Sequence, residues 1–147
     1  MKIRIINGPN LNLLSRRDSH IYGSETLNDI EAWLQSKISS KDSVKWFQSN
    51  HEGQIIDEIH ACIDCYDGII INPGAFTHYS YAIRDAIESA NIPTVEVHLS
   101  DIYNREDFRK KSVIKDVCIE QIYGHGKIGY LNAAEILFAH ENKKDNS

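Results

Sequence analysis

At 147 residues, with 41% hydrophobic and 25% charged side chains, the chain has the make-up of one ordinary globular domain, not of a disordered or fibrous protein. Its 16 basic and 21 acidic residues leave a net charge of −5, which argues against binding nucleic acid through clustered Lys and Arg. No apolar run approaches the ~20 residues that cross a bilayer, and Met1-Lys2 runs straight into Ile3-Arg4-Ile5-Ile6 without a signal-peptide core, so no membrane role is expected.

The first expected element is a strand over Ile3–Ile6, a short Ile-rich run. A long connection, Asn7–Ser24, follows and opens on the turn formers Asn7-Gly8-Pro9-Asn10. Leu27, Ile30, Leu34 and Ile38 then recur at helical spacing, giving one apolar face after Ser24 and Thr26. Val44–Phe47 reads as the second strand, and Ile55, Ile56, Ile59 and Ile63 as the stripe of the next helix. Gly68–Ile71 is the third strand, and Ala82, Ile83, Ala86, Ile87 and Ala90 predict a helix over Ser80–Ala90. Thr94–Val97 is the fourth strand, Ser100–Asp116 a second long connection, and Val117–Tyr123 the fifth strand. A last helix is expected from about Tyr130 to His140, on Ala133, Ala134, Leu137 and Phe138. Asn142–Ser147 should fray, leaving a single domain over residues 1–141 and a disordered tail.

Strands that are short, Ile- and Val-rich and bounded by polar residues are buried on both faces. Alternating with helices, they predict an α/β protein: a flavodoxin-like three-layer fold with a five-stranded parallel sheet in the order 2-1-3-4-5. In such sheets ligands bind outside the carboxyl ends of the strands. There the sequence supplies Asn7-Gly8-Pro9-Asn10, Arg16, Arg17 and Tyr22 after the first strand, and Asn72-Pro73-Gly74-Ala75-Phe76-Thr77-His78 after the third. His98-Leu99-Ser100 follows the fourth, with Arg105 and Arg109 beyond it, and Gly124-His125-Gly126-Lys127 follows the fifth. Carboxylates are scarce at this edge, whereas Arg17, Arg105 and Arg109 bring positive charge to an acidic protein. The mixture suits a small anionic ligand bearing hydroxyls.

Other signals fail on context. Gly124-x-Gly126-x-x-Gly129 matches a dinucleotide fingerprint, but the chain ends too soon after it for the second strand and the ribose-binding acid. Close helix–strand packing explains those glycines better. Cys62-Ile63-Asp64-Cys65 falls near a helix end, without the cations or helix N-terminus that activate a thiol, and is read as structural. With Cys118 the cysteines number three, which fits reduced thiols and a cytoplasmic setting. The seven histidines show no zinc-ligand spacing. A phosphoacceptor receiver domain is excluded, because Asn7-Gly8-Pro9 and Asn72-Pro73-Gly74 lack its acidic residues.

Asn7-Gly8-Pro9-Asn10-Leu11-Asn12-Leu13-Leu14, with Arg17 and Tyr22-Gly23 beyond it, resembles the opening signature of the type II 3-dehydroquinate dehydratases. Gln48-Ser49-Asn50-His51-Glu52-Gly53, Asn72–His78, Ala82-Ile83-Arg84-Asp85-Ala86 and Glu96-Val97-His98-Leu99-Ser100 followed by Arg105-Glu106 and Phe108-Arg109 agree in order and spacing. The resemblance implies loss of water from 3-dehydroquinate to give 3-dehydroshikimate, without metal or cofactor, in a homododecamer built from trimers. It also implies roles: Tyr22 as the base next to the ketone, Arg17 stabilising the charge that develops, and His98 protonating the departing hydroxyl. Asn72, His78 and Arg109 would bind substrate oxygens, backbone at Leu99-Ser100 the carboxylate, and Asn10 a water at the enolate oxygen. Asp85 would reach a neighbouring subunit's site. These roles make chemical sense. A phenol with a pKa of about 10 needs a cation beside it to act as a base, and an imidazole can return a proton at cellular pH.

The chain departs from the family pattern at Ser15, where Gly is common, at Asp18-Ser19 in place of Glu-Pro, and at Phe76, Tyr79, Asp101 and Tyr103. In the first long connection, which the resemblance implies to be a mobile lid, loss of the Gly and Pro would alter flexibility, and Asp101 would put a negative charge beside the carboxylate-binding turn. Two alternatives remain at this level. One is a Schiff base formed by Lys127; the other is a flavodoxin-like binding module without turnover.

Overall fold

The computed structural model describes residues 1–147. Its five strands are β1 (Lys2–Asn7), β2 (Ser43–Gln48), β3 (Gly68–Asn72), β4 (Thr94–His98) and β5 (Glu120–Tyr123). They form one sheet in the order β2-β1-β3-β4-β5, every pair parallel, as the alternation of elements predicts. Five helices accompany them: α1 (Ser19–Tyr22), α2 (Leu27–Lys37), α3 (Glu52–Ala61), α4 (Tyr81–Ala90) and α5 (Ile128–Asp145).

The two-residue period of a strand sorts the core into two layers. Ile3, Ile5, Ile70, Val95 and Val97 point to one face, where α2 supplies Ile30 and Leu34 and α5 supplies Tyr130, Ala133, Ala134 and Leu137. Ile6, Ile69 and Ile71 point to the other, against Ile55 and Ile59 of α3 and Ile83, Ala86 and Ile87 of α4. Most of these side chains are fully buried. Each buried Ile or Leu contributes about 1.5–3 kcal/mol, so the sheet needs no cross-link.

Local signals set the boundaries. Thr26 caps α2 in a reciprocal pair with Asp29, the carboxylate accepting from the Thr26 amide and the hydroxyl from the Asp29 amide. Ser80 caps α4 by accepting from the Ile83 amide. Gly129 packs where a Cβ would come within 3.3 Å of Val97 and 3.4 Å of Ile122, which is the close helix–strand approach expected of that glycine. Cys62 lies at the end of α3, its thiol pushed up to about 12, chiefly by burial and then by Glu58, and so is inert.

Three expectations are corrected. The fifth strand starts at Glu120, not Val117, because only from Glu120 onward does it pair with β4; Lys115–Val117 is a 3-10 turn. Ile63 lies beyond α3 and is 43% exposed, so it is no part of that helix's stripe. The last helix runs to Asp145, so most of the expected disordered tail is helical. Lys143 and Lys144 sit in its final turn, where cations meet the negative end of the helix dipole.

Candidate active site

The carboxyl ends of β1, β3 and β4 open onto a cavity of about 130 Å³. Its floor is a pair of interlocked turns. A Cβ on Gly8 would lie 2.4 Å from the Pro73 carbonyl oxygen, and Gly74, at φ +60°, sits with its would-be Cβ 3.0 Å from the Pro9 oxygen. Only glycine permits this backbone-to-backbone approach, which is why Asn-Gly-Pro and Asn-Pro-Gly occur as a pair. The Gly8 amide donates to the Asn72 carbonyl at 2.7 Å, and Gln48 Nε2 donates to the Gly8 carbonyl at 3.1 Å. Asn10 takes a left-handed conformation, φ 69°, with its amide donating to Asn50 Oδ1 at 3.0 Å.

Tyr22 reaches this cavity from the first long connection. That segment is anchored by buried Leu11 and Leu14, whereas α1 has no buried residue. Asp18 caps α1, accepting from the His20 amide at 2.9 Å, and Gly23 at φ 78° ends it. The Asp18-Ser19 departure thus keeps a helix start by side-chain capping. Arg17 Nη2 donates to the Tyr22 hydroxyl oxygen at 2.5 Å, and its guanidinium carbon lies 3.7 Å from the ring centroid. Arg105 Nη1 donates to the same oxygen at 2.7 Å and to Ser100 Oγ at 3.2 Å. Two guanidinium groups thus direct N–H donors at one phenol oxygen. Sequence reasoning saw Arg105 only as a source of charge and missed this contact, which bridges residues 83 positions apart.

His98 and Glu96 project from the same face of β4, two residues apart. His98 Nε2 donates to Glu96 Oε2 at 2.5 Å, leaving Nδ1 without a partner in the protein. Glu96 is fully buried and also accepts from Thr77 Oγ1 at 2.6 Å and Ser112 Oγ at 2.9 Å. Burial alone would raise its pKa. Hydrogen bonding to His98, the positive charge of His98, and the Thr77 and Ser112 hydroxyls outweigh burial and hold the carboxyl below its ordinary value. A glutamate inside the fully buried strand Thr-Val-Glu-Val-His was the available signal for this partner.

His78 Nδ1 donates to the Lys111 carbonyl at 2.7 Å, which leaves Nε2 as an acceptor. Burial lowers its pKa, with His98 and Arg109 adding repulsion and the Lys111 bond opposing, so the ring is neutral at cellular pH. Arg109 pairs with Glu106 and stacks near Phe108. The amides of Leu99 and Ser100 donate no hydrogen bond, whereas their carbonyls accept from Gly126 and Gly124 at 3.1 and 3.0 Å.

Asn10, Arg17, Tyr22, Asn72, His78, His98, Leu99, Ser100 and Arg109 therefore all line one cavity, joined by Arg105. Asp85 does not: it is exposed on α4, outside the cavity of its own chain. Asp101 turns aside to accept from the Tyr103 amide at 3.1 Å, and Tyr103 donates to Gln121 at 2.6 Å, so neither departure enters the cavity. Lys127 lies outside the cavity, its amine paired with Glu25 at 3.0 Å, and so cannot reach a ketone bound there; this removes the Schiff-base alternative.

Two folded-state pKa values below their ordinary levels carry a stability prediction. For His78 (ordinary value 6.5) and Glu96 (4.5), the native state holds the proton less tightly than the unfolded chain. Both contributions are complete above those ordinary values and are lost as pH falls through the native ones. Denaturant midpoints should therefore drop in two stages, below about pH 6.5 and again below about pH 4.5. His78→Ala should remove the first stage; an unchanged profile would refute it.

Residues 1–138 match the family model described as dehydroquinase class II. The chain is 56% identical over 134 residues to the 3-dehydroquinate dehydratase of Caldicellulosiruptor saccharolyticus, covering 90% of this chain and 92% of that one. It is 53% identical over 139 residues to the same enzyme of Clostridium beijerinckii, covering 93% and 95%. The crystal structure of the type II dehydroquinase from Butyrivibrio crossotus superposes with a TM-score of 0.90 at 49% identity, over 93% of this chain and 97% of that one. Similarity at this level, spanning both the sheet and the residues at its carboxyl edge, means that the chain belongs to the class II dehydroquinase family.

Proposed function

We infer that the protein catalyses the reversible loss of water from 3-dehydroquinate to give 3-dehydroshikimate, a hydro-lyase reaction of the shikimate pathway. The observation that carries the mechanism is the Tyr22 oxygen, which accepts from both Arg17 and Arg105 inside the cavity that also holds His98. Tyr22 takes the proton from the carbon next to the ketone, and the electron pair moves onto the carbonyl oxygen as an enolate. Arg17 supports charge on the phenol oxygen, while a water held near Asn10 donates to the enolate. The enolate then collapses, expelling the neighbouring hydroxyl as His98 protonates it, so that water leaves and the enone forms. Glu96 holds the His98 ring in place. The free amides of Leu99 and Ser100 take the substrate carboxylate, with Asn72, neutral His78 and Arg109 binding its hydroxyls.

The test is the rise in ultraviolet absorbance as the conjugated enone forms from 3-dehydroquinate. Folded protein that binds substrate without this signal would instead be a binding module.

We also assign the protein to the cytoplasm and to a homododecamer of trimers. No helix is long and apolar enough to cross a membrane, and the exposed aromatics Tyr79 and Tyr81 lie at or just before the start of α4, with Phe108 edge-on to His78. In this assembly Asp85 completes a neighbour's site. Asp85→Ala should lower kcat/KM about tenfold while the subunit stays folded, and dilution below the assembly threshold should abolish turnover. A fully active monomer in light scattering would refute the shared site.

A further inference from the structure

Asn7 and Asn72 are register partners at the carboxyl ends of β1 and β3, and both are buried. By strand parity they continue the faces of Ile5 and Ile70, so both side chains meet the layer formed by α5. There Tyr130, fully buried, packs its ring on Trp46 at 5.1 Å and puts its hydroxyl between the two amides. The hydroxyl donates to Asn7 Oδ1 at 2.5 Å and accepts from Asn72 Nδ2 at 3.2 Å. Asn7 is itself oriented by donating from Nδ2 to the Phe47 carbonyl at 3.5 Å, and Asn72 Oδ1 accepts from the Gly74 amide at 3.3 Å.

Hydrogen-bond direction is fixed along this chain. A phenol has one proton, and Asn7 Oδ1 holds it, so the hydroxyl can only accept from Asn72. A flipped Asn72 would oppose oxygen to the phenol oxygen and N–H to the Gly74 N–H, two unfavourable contacts in a buried site. Burial pushes the Tyr130 phenol above its ordinary value, opposed only by the Asn72 bond, so it keeps its proton across the working range.

We propose that Tyr130 is a positioning residue for substrate binding: through its Asn7-locked hydroxyl it holds the Asn72 amide in one orientation and thereby sets which hydrogen-bonding group Asn72 presents to the ligand. The inference rests on Asn72 being a substrate-binding residue. It puts a determinant of binding on the last helix, on the core side of the strand ends.

Tyr130→Phe keeps the ring against Trp46 and removes only the hydroxyl. KM for 3-dehydroquinate should rise about tenfold with kcat changed less than about twofold, the worth of a hydrogen bond lost in the bound state. Repeating the change in Asn72→Ala protein decides how the effect arises. If Tyr130 acts through Asn72, Tyr130→Phe adds nothing there; a full further tenfold loss would mean a general effect on the fold and overturns the proposal. Should Tyr130→Phe fail to fold by circular dichroism, Asn7→Ala frees the same hydroxyl proton, and the same cycle with Asn72→Ala applies. Unchanged kinetics in Asn72→Ala alone would overturn both the proposal and the binding role of Asn72. Absence of turnover in wild-type protein would instead refute the reaction assigned above.

Discussion

Tyr22→Phe should lower kcat by about 10³-fold or more while KM moves by less than about fivefold. The substitution removes one oxygen. The ring, with the Arg17 guanidinium 3.7 Å from its centroid, retains its bulk and its cation contact, so the lid keeps most of its packing. What disappears is the only acceptor that Arg17 and Arg105 share, and with it the group that takes the proton. A binding role would give the opposite pattern, a rise in KM with kcat nearly kept. Steady-state kinetics by the absorbance assay separate the two, and equilibrium binding of substrate to the inactive variant supplies the control. A variant that turns over at a tenth of the normal rate would exclude Tyr22 as the base.

The fold was legible because each strand carries a short apolar run and each of the four longer helices an apolar stripe, signals that depend only on period. They faded where the structure is marginal. β5 is an edge strand with a single partner, and Val117 is apolar for a different reason: it packs from a 3-10 turn against the layer of α3 and α4. The end of α5 carries Asn, Lys and Asp, which read as a frayed tail, yet the helix continues through them on its own hydrogen bonds.

The candidate site was legible to the extent that it lies at strand ends and carries chemistry on its face. Tyr22, His98, His78 and Asn72 reach the cavity from segments whose position follows from the topology. Missed were the residues that act on these. Glu96 sits two residues before His98 on the same face of β4, Arg105 crosses from a distant loop to Tyr22, and Tyr130 reaches Asn72 from the far end of the chain. The last two contacts are made by tertiary packing, which neither period nor local spacing encodes, whereas Glu96 and His98 share a face through the two-residue period of β4. A buried Glu between two valines and a Tyr in an otherwise Ala- and Leu-rich helix stripe are the only traces they leave in the sequence.

The second large effect is expected at His98, and here catalysis and stability must be separated. His98→Ala should cost about 10²- to 10⁴-fold in kcat, because the hydroxyl then leaves without its proton. It should also cost stability, on the order of 1–3 kcal/mol, because it strips the fully buried Glu96 of its short hydrogen bond from Nε2. Thr77 and Ser112 would still donate to that carboxylate, at 2.6 and 2.9 Å, which limits the damage and keeps the fold accessible. His98→Gln resolves the two effects. An amide N–H can replace Nε2–H toward Glu96 and recover much of the stability, but an amide holds no transferable proton at neutral pH. The variant should therefore melt closer to wild type than His98→Ala does and remain as slow. If His98→Gln regained rate along with stability, His98 would be a structural partner of Glu96, and the departing hydroxyl would have to draw its proton from another donor in the cavity.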